Sequence, residues 1–190
     1  MDLNIYMMPV ITESLGPYKR CAFWVQGCKK RCKGCIAKEA QSLDGGQKIN
    51  VEELAEYISK QDDIEGITIS GGEPFLQQDA ICELIDVIRT EKDLGIIIYT
   101  GMNYQEISET QLSKKCDLII DGEYVDELND DKSLRGSSNQ NIICVSERYK
   151  DCVDTYYGVP GRKVEIIQRN KSFDLVGIPS RNLLENCLNK

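Results

Sequence analysis

The run Cys28-Lys-Lys-Arg-Cys-Lys-Gly-Cys35 constrains this chain more than any other stretch. Three thiols fall within eight residues, spaced C-x3-C-x2-C. A loop of that size can turn Cys28, Cys32 and Cys35 toward one point. Three thiolates on a 4Fe–4S cube leave one iron open to a small molecule, whereas an electron-carrying cluster normally has all four irons held by cysteine. The spacing therefore points to a cluster that does chemistry. A closed zinc site is the structural alternative, since such sites also gather cysteines. Zinc would need a fourth ligand, and a chain without histidine leaves Cys21 or a more distant cysteine for it.

Length and composition bound the rest. The 190 residues read as one domain, 1–190. At that size about 70% of the unfolded chain's surface can be buried. Nine cysteines would suggest disulfides in a small secreted protein. No charged start followed by an apolar run of signal-peptide length is present, however. No apolar stretch is long enough to span a bilayer, so no membrane role is expected. A reducing cytoplasm is the expected location, with metal binding favoured over disulfides. A net charge of −8 argues against nucleic-acid binding as the main task, because phosphate contacts need a basic face.

In chain order, Leu3 to Thr12 reads as an entry strand or arm, and Gly16-Pro17 as a turn. Arg20 to Val25 is a short apolar run, expected as a buried strand feeding the cysteine loop. Val51, Leu54, Ala55 and Ile58 predict a helix over 51–60, with Asn50 and Glu53 resembling a capping box. Ile64 to Ser70 predicts a strand, and the Ile81, Leu84, Ile85, Ile88 stripe a helix over 77–90. Further strands are expected at 95–99, 117–120, 141–145 and 164–168, with a short helix near 104–112. Strands alternating with helices imply a mostly parallel sheet with right-handed crossovers. About six βα units fit this length, and a full eight-stranded barrel usually needs about 250 residues. The expected fold is therefore an α/β, open, partial parallel βα barrel of about six strands.

A second motif, Ser70-Gly71-Gly72-Glu73-Pro74, closes the second of the expected parallel strands. Two glycines let backbone approach a ligand closely, and the Glu73 carboxylate could pair with an ammonium group. Alone, the motif reads as an ordinary strand-to-helix turn. Its placement beside the cysteine loop, on the same face of the sheet, raises its weight.

Together the two motifs resemble the radical S-adenosylmethionine superfamily. The resemblance implies a site-differentiated 4Fe–4S cluster on Cys28, Cys32 and Cys35. It also implies that Gly71, Gly72 and Glu73 hold the methionyl amino group of S-adenosylmethionine. Many members carry an aromatic residue just before the third cysteine, where this chain has Gly34. Within the superfamily, Trp24 to Cys28 and Lys33 to Cys35 are similar to the activating proteins of anaerobic (class III) ribonucleotide reductases. So are Thr100-Gly101, Asp121 to Val125, and Leu134-Arg-Gly-Ser-Ser-Asn-Gln140. Thr100 and Asp121 are accordingly further cofactor-binding candidates. The resemblance spans about 5–145, leaving 146–190 as an extension of unassigned role, with Cys152 and Cys187 unassigned.

The implied reaction is reductive cleavage of S-adenosylmethionine to a 5′-deoxyadenosyl radical, which takes hydrogen from a glycine of a large glycyl-radical enzyme subunit. Hydrogen-atom abstraction needs no general base, so Glu73 would bind rather than catalyse. Lys29, Lys30, Arg31 and Lys33 would suit docking of an acidic one-electron donor such as flavodoxin, or would simply form a solvated loop. The acidic groups at 52–56 and 126–131 read as solvated surface, and Cys82, Cys116 and Cys144 as packing residues. Two alternatives stay open at this point: a radical enzyme acting directly on a peptide or small molecule, and a non-catalytic iron–sulfur or zinc module.

Overall fold

The computed structural model describes residues 1–157, 161–168, 170, 172–180 and 183. Its elements are β1 (Asp2–Thr12), β2 (Arg20–Val25), β3 (Gln47–Asn50), α1 (Val51–Ser59), β4 (Gly66–Gly71), α2 (Gln78–Arg89) and β5 (Gly95–Tyr99). There follow α3 (Tyr104–Ile107), α4 (Gln111–Lys115), β6 (Leu118–Asp121), β7 (Asn141–Cys144), α5 (Lys150–Tyr157), β8 (Val164–Gln168) and β9 (Phe173–Gly177). Seven strands form one sheet in the order β3-β1-β2-β4-β5-β6-β7, and β8 and β9 pair separately as a hairpin.

The central four strands, β2, β4, β5 and β6, are parallel. The outer strands are not: β1 runs antiparallel to β2 and β3, and β7 antiparallel to β6. The fold is thus mixed α/β with a mostly parallel centre, and the sheet does not close into a barrel. Connection lengths explain the departure from six βα units. Residues 13–19 are too few for a crossover, which takes about a dozen or more. Residues 122–140 are long enough but hold no α-helix, only a 3-10 turn at Asp126–Leu128. The strand expected at 164–168 pairs with β9 instead of joining the sheet.

One face of the sheet is covered by helices. Val51, Leu54, Ala55 and Ile58 of α1 and Ile81, Leu84, Ile85 and Ile88 of α2 pack there against Cys21, Phe23, Val25, Ile67 and Ile69. Each fully buried large aliphatic side chain stabilises by about 1.5–3 kcal/mol, as an upper range. Cys21 alternates with Phe23 and Val25 onto this helix-side core, at the far end of β2 from Cys28. Asn50 caps α1 by accepting from Glu52 N at 2.8 Å. On the opposite face, Val10, Leu15 and Ala22 pack against Val176 of the hairpin.

The N-terminal ends of the parallel strands are joined by a charge. Arg20 is fully buried and ion-pairs with Glu65 at 2.6 Å. It also donates to Tyr149 Oη, Thr68 Oγ1 and the carbonyls of Pro17, Ile67 and Gly95. Every face of the guanidinium fork is filled, which is what makes so deep a charge tolerable. No helix among the described residues is long and apolar enough to cross a membrane.

Candidate cluster and cofactor site

Because β2, β4, β5 and β6 are parallel, their C-terminal ends meet on one edge of the sheet. The cysteine loop follows Val25, which is in register with Gly71. Gly72-Glu73 follows β4, Thr100-Gly101 follows β5 and Gly122 follows β6. Open parallel sheets bind ligands at this end. Here a single cavity is lined by Cys28, Cys32 and Cys35 together with Ser70, Gly71, Gly72, Glu73, Thr100 and Gly101. The two motifs read separately from the sequence therefore share one space.

Backbone contact joins them. Gly72 N donates to Val25 O and Glu73 N to Gly27 O, both at 2.8 Å. Gly71 sits at φ +105°, a conformation favouring glycine. At Gly72 a Cβ would lie 2.2 Å from Gly27 O, so only glycine lets the turn lie this close to the start of the cysteine loop. Gly34 is also left-handed, at φ +75°, and a Cβ there would meet Asp126 at 3.0 Å. The left-handed backbone accounts for glycine at a position where the superfamily often carries an aromatic.

Glu73 is 4% exposed, and its carboxylate is held from three sides. Oε1 accepts from Thr100 Oγ1 at 2.7 Å and Phe75 N at 3.2 Å; Oε2 accepts from Gly101 N at 2.9 Å. Burial pushes its pKa up, while these hydrogen bonds and Lys30 pull it back down. Thr100, expected to touch the cofactor, lines the cavity and orients Glu73. Carboxylate oxygens offer about four acceptor sites, so capacity remains for a cationic group.

Two of the three thiols, Cys28 and Cys32, are held protonated by their surroundings. Burial raises the Cys28 pKa, and burial followed by the Glu123 charge pushes Cys32 up to about 11. Cys32 Sγ lies 3.6 Å from Glu123 Oε1. Metal ligation removes such protons, because only thiolates ligate. Among the described residues, no three His, Cys, Asp or Glu side chains are grouped to hold a single metal ion.

Asp121 is placed differently from the other candidates. It is buried at the end of β6, and its carboxylate accepts from Tyr104 N at 2.6 Å, Asn141 N at 3.1 Å and Asn141 Nδ2 at 2.9 Å. It ties α3 and β7 to β6, while its neighbour Gly122 lines the cavity. The Arg-Gly-Ser-Ser-Asn-Gln block has a folding task as well. Gln140 accepts from Gly136 N and Ser137 N and donates to Gly122 O; Asn139 donates to Glu123 O; Ser137 Oγ accepts from Val125 N. These bonds hold residues 122–129 at the cavity, which Gly136 and Gln140 also line.

The basic residues of the cysteine loop are partly engaged within the chain. Lys30 pairs with Glu123 at 3.4 Å and Lys33 with Glu127 at 2.8 Å, while Arg31 donates to the carbonyls of Cys28 and Lys30. Cys82 and Cys116 are buried as packing residues and Cys144 is half-buried. Cys187 lies outside the described residues. Sequence reasoning missed Tyr99, Tyr124, Ile178 and Pro179, all of which line the cavity. Tyr99 precedes Thr100 directly and could have been found from the strand end. Its hydroxyl is buried without a hydrogen-bond partner, and burial raises its pKa.

A family model described as a 4Fe-4S single cluster domain matches residues 14–143. The chain is 35% identical over 135 residues to the anaerobic ribonucleoside-triphosphate reductase-activating protein of Enterobacteria phage T4, covering 67% of this chain and 85% of that one. The protein of the same name from Vibrio cholerae serotype O1 is 32% identical over 150 residues, covering 74% and 97%. That from Escherichia coli K12 is 33% identical over 139 residues, covering 67% and 89%. A cysteine loop, a glycine turn fitted against it and these relatives lead to one assignment: this chain belongs to the family of anaerobic ribonucleoside-triphosphate reductase-activating proteins.

Proposed function

We propose that Cys28, Cys32 and Cys35 hold a 4Fe–4S cluster, and that Gly71, Gly72, Glu73 and Thr100 hold S-adenosylmethionine beside it. One observation carries the reading: the three thiols and the Gly-Gly-Glu turn line a single cavity. The donor set fits, since soft thiolates suit iron–sulfur clusters. A cube takes each thiolate on a different iron, so it does not need the three sulfurs gathered as one ion would. When bound, cluster and cofactor supply a reductively triggered hydrogen abstraction from a glycine of the partner.

The protein's own residues position and shield. Glu73, fixed by Thr100 Oγ1, Phe75 N and Gly101 N, presents its remaining acceptor capacity to the cofactor's ammonium group. Its raised pKa means that arrival of that cation favours release of a proton from the carboxyl. The close fit of Gly72 on Gly27 keeps the cofactor turn and the cysteine loop in fixed relation. Asp121 acts through Tyr104 and Asn141, shaping the loop edge.

The relatives' names point to the partner, an anaerobic ribonucleoside-triphosphate reductase, whose large glycyl-radical subunit would close the site from water. The sheet serves as an open partial barrel within a single domain: a core of about 5–145 with an extension at 146–190. The setting is cytoplasmic, and an acidic donor of the flavodoxin class supplies the electron, approaching the exposed Lys29 and Arg31.

The test is anaerobic reconstitution followed by electron paramagnetic resonance. The reduced cluster signal should change on adding S-adenosylmethionine, and a glycyl-radical doublet should appear on an added reductase subunit. A triple Cys28, Cys32, Cys35 to Ala variant that still holds about four irons per chain would defeat the assignment.

A further inference from the structure

The family match ends at residue 143, yet the chain continues into the β8–β9 hairpin. The relatives named above contribute 85–97% of their own length but align to only 67–74% of this chain. The hairpin is nonetheless built into the fold. Val176 is 0% exposed against Val10, Leu15 and Ala22. Ser14 Oγ donates to Val176 O at 3.2 Å, and Glu13 N to Glu165 Oε1 at 2.8 Å. Just past β9, Ile178 and Pro179 reach the cavity that holds the three cluster cysteines.

Arg162 holds them there. Its side chain is 2% exposed, and its donors meet four backbone carbonyls. Nη1 donates to Pro179 O at 3.0 Å, Nη2 to Arg135 O at 2.8 Å and Gly136 O at 3.0 Å, and Nε to Lys132 O at 3.0 Å. Three of those carbonyls belong to the 132–136 loop and the fourth to the segment just past β9. Since Gly136 and Pro179 both line the cavity, one guanidinium joins two of its walls. A planar fork of donors can do this; a lysine ammonium, a point charge on a flexible stem, lacks the geometry. Tyr99 and Ile178 both pack against the apolar cluster of Val10, Leu15, Ala22 and Val176.

We propose that the C-terminal extension supplies a wall of the cofactor cavity, that Arg162 is the positioning residue clamping that wall, and that Ile178 is its apolar contact with the cofactor. This rests on the reading of the cavity as an S-adenosylmethionine site and extends it to residues outside the family match.

The test uses full-length chain with reconstituted cluster and measures S-adenosylmethionine affinity by calorimetry and by the change in the cluster's resonance signal. Arg162→Ala should weaken binding about tenfold or more, and Arg162→Lys should restore little of it. Ile178→Ala should weaken it about three- to tenfold. Cluster content and the cofactor-free signal should match wild type in all three, because neither Arg162 nor Ile178 supplies a cluster ligand. Ile166→Ser, on the hairpin's outer face at 69% exposure, should change nothing. Should Arg162→Ala fail to fold, Ile178→Ala decides alone, since it leaves the clamp in place. Affinities within about twofold of wild type for Ile178→Ala and for any folded Arg162 variant overturn the proposal. So does an Ile166→Ser effect equal to that of Ile178→Ala. A wild-type chain that holds the cluster but binds no cofactor overturns the underlying reading, and this proposal with it.

Discussion

Replacing Gly72 by alanine tests whether the cysteine loop and the cofactor turn are one packed unit. The added Cβ would stand 2.2 Å from Gly27 O, 2.7 Å from Gly27 C and 3.0 Å from Ala40 O. All three are backbone atoms, so no side chain can rotate away. Restoring ordinary contact, about 3.5–4.0 Å between carbon atoms, means moving one segment by roughly 1 Å. Overpacking of this kind costs about 1–3 kcal/mol. The displacement also breaks the Glu73 N to Gly27 O hydrogen bond, adding about 0.5–1.5 kcal/mol. The total, about 2–4 kcal/mol, compares with an expected stability of about 5–15 kcal/mol. At about 2–4 °C per kcal/mol for a chain of this size, the melting temperature should fall by about 4–16 °C. Thermal unfolding of the cluster-free, reduced chain by circular dichroism measures it. Gly101→Ala is the control, because nothing there lies nearer than 3.5 Å. A Gly72→Ala chain melting within about 2 °C of wild type would refute the reasoning.

Three further outcomes are expected. Tyr99→Phe removes a buried hydroxyl that has no partner, so stability in urea should hold or rise; a loss above about 1 kcal/mol would show that the hydroxyl is satisfied after all. Arg20→Met leaves Glu65 paired with Arg148 and Tyr149 but takes a donor from the buried carbonyls of Pro17, Ile67 and Gly95, and should cost about 1–3 kcal/mol; an unchanged urea midpoint would count against that network. Glu73 has a raised pKa when folded, so the native chain keeps a proton that the unfolded chain loses above its ordinary value of 4.5. Its contribution to stability therefore falls as pH rises from there. Wild-type stability minus that of Glu73→Gln, measured in urea between pH 4.5 and 7, should decline with pH; a rising difference would reverse the assignment.

Much of this architecture is legible in local pattern. The stripes on α1 and α2, the buried β5 and the strand-end positions of the two motifs all follow from spacing and turn residues. What escaped depends on distant partners. β3, Gln-Lys-Ile-Asn, is too short and polar to announce itself, and exists because it pairs with Asp2 to Ile5. Arg20 opens the run expected as a buried strand, but nothing in that run shows what its charge would meet there. Its burial is set by acceptors at positions 17, 65, 67, 68, 95 and 149, none of which is visible from its neighbours. The Ser-Ser-Asn-Gln block carries a resemblance in the sequence, and its folding task, in which Ser137, Asn139 and Gln140 tie down the loop above the site, shows only in the structure. The wall at Ile178 and Pro179 had no motif to mark it, since apolar contact across a cavity leaves no spacing rule.

The strand order has a consequence for how the chain is made. From β2 outward the order β2-β4-β5-β6-β7 is also the order of synthesis. Each new parallel strand can therefore join an existing edge as it leaves the ribosome. The three cysteines emerge with β2, before anything exists to cover them. Glu73 lies 38 residues behind Cys35 (73 minus 35). At about 5–20 residues per second, the nascent thiols wait roughly 2–8 s for the glycine turn that packs beside them. During that interval they are open to oxidants and stray metal ions.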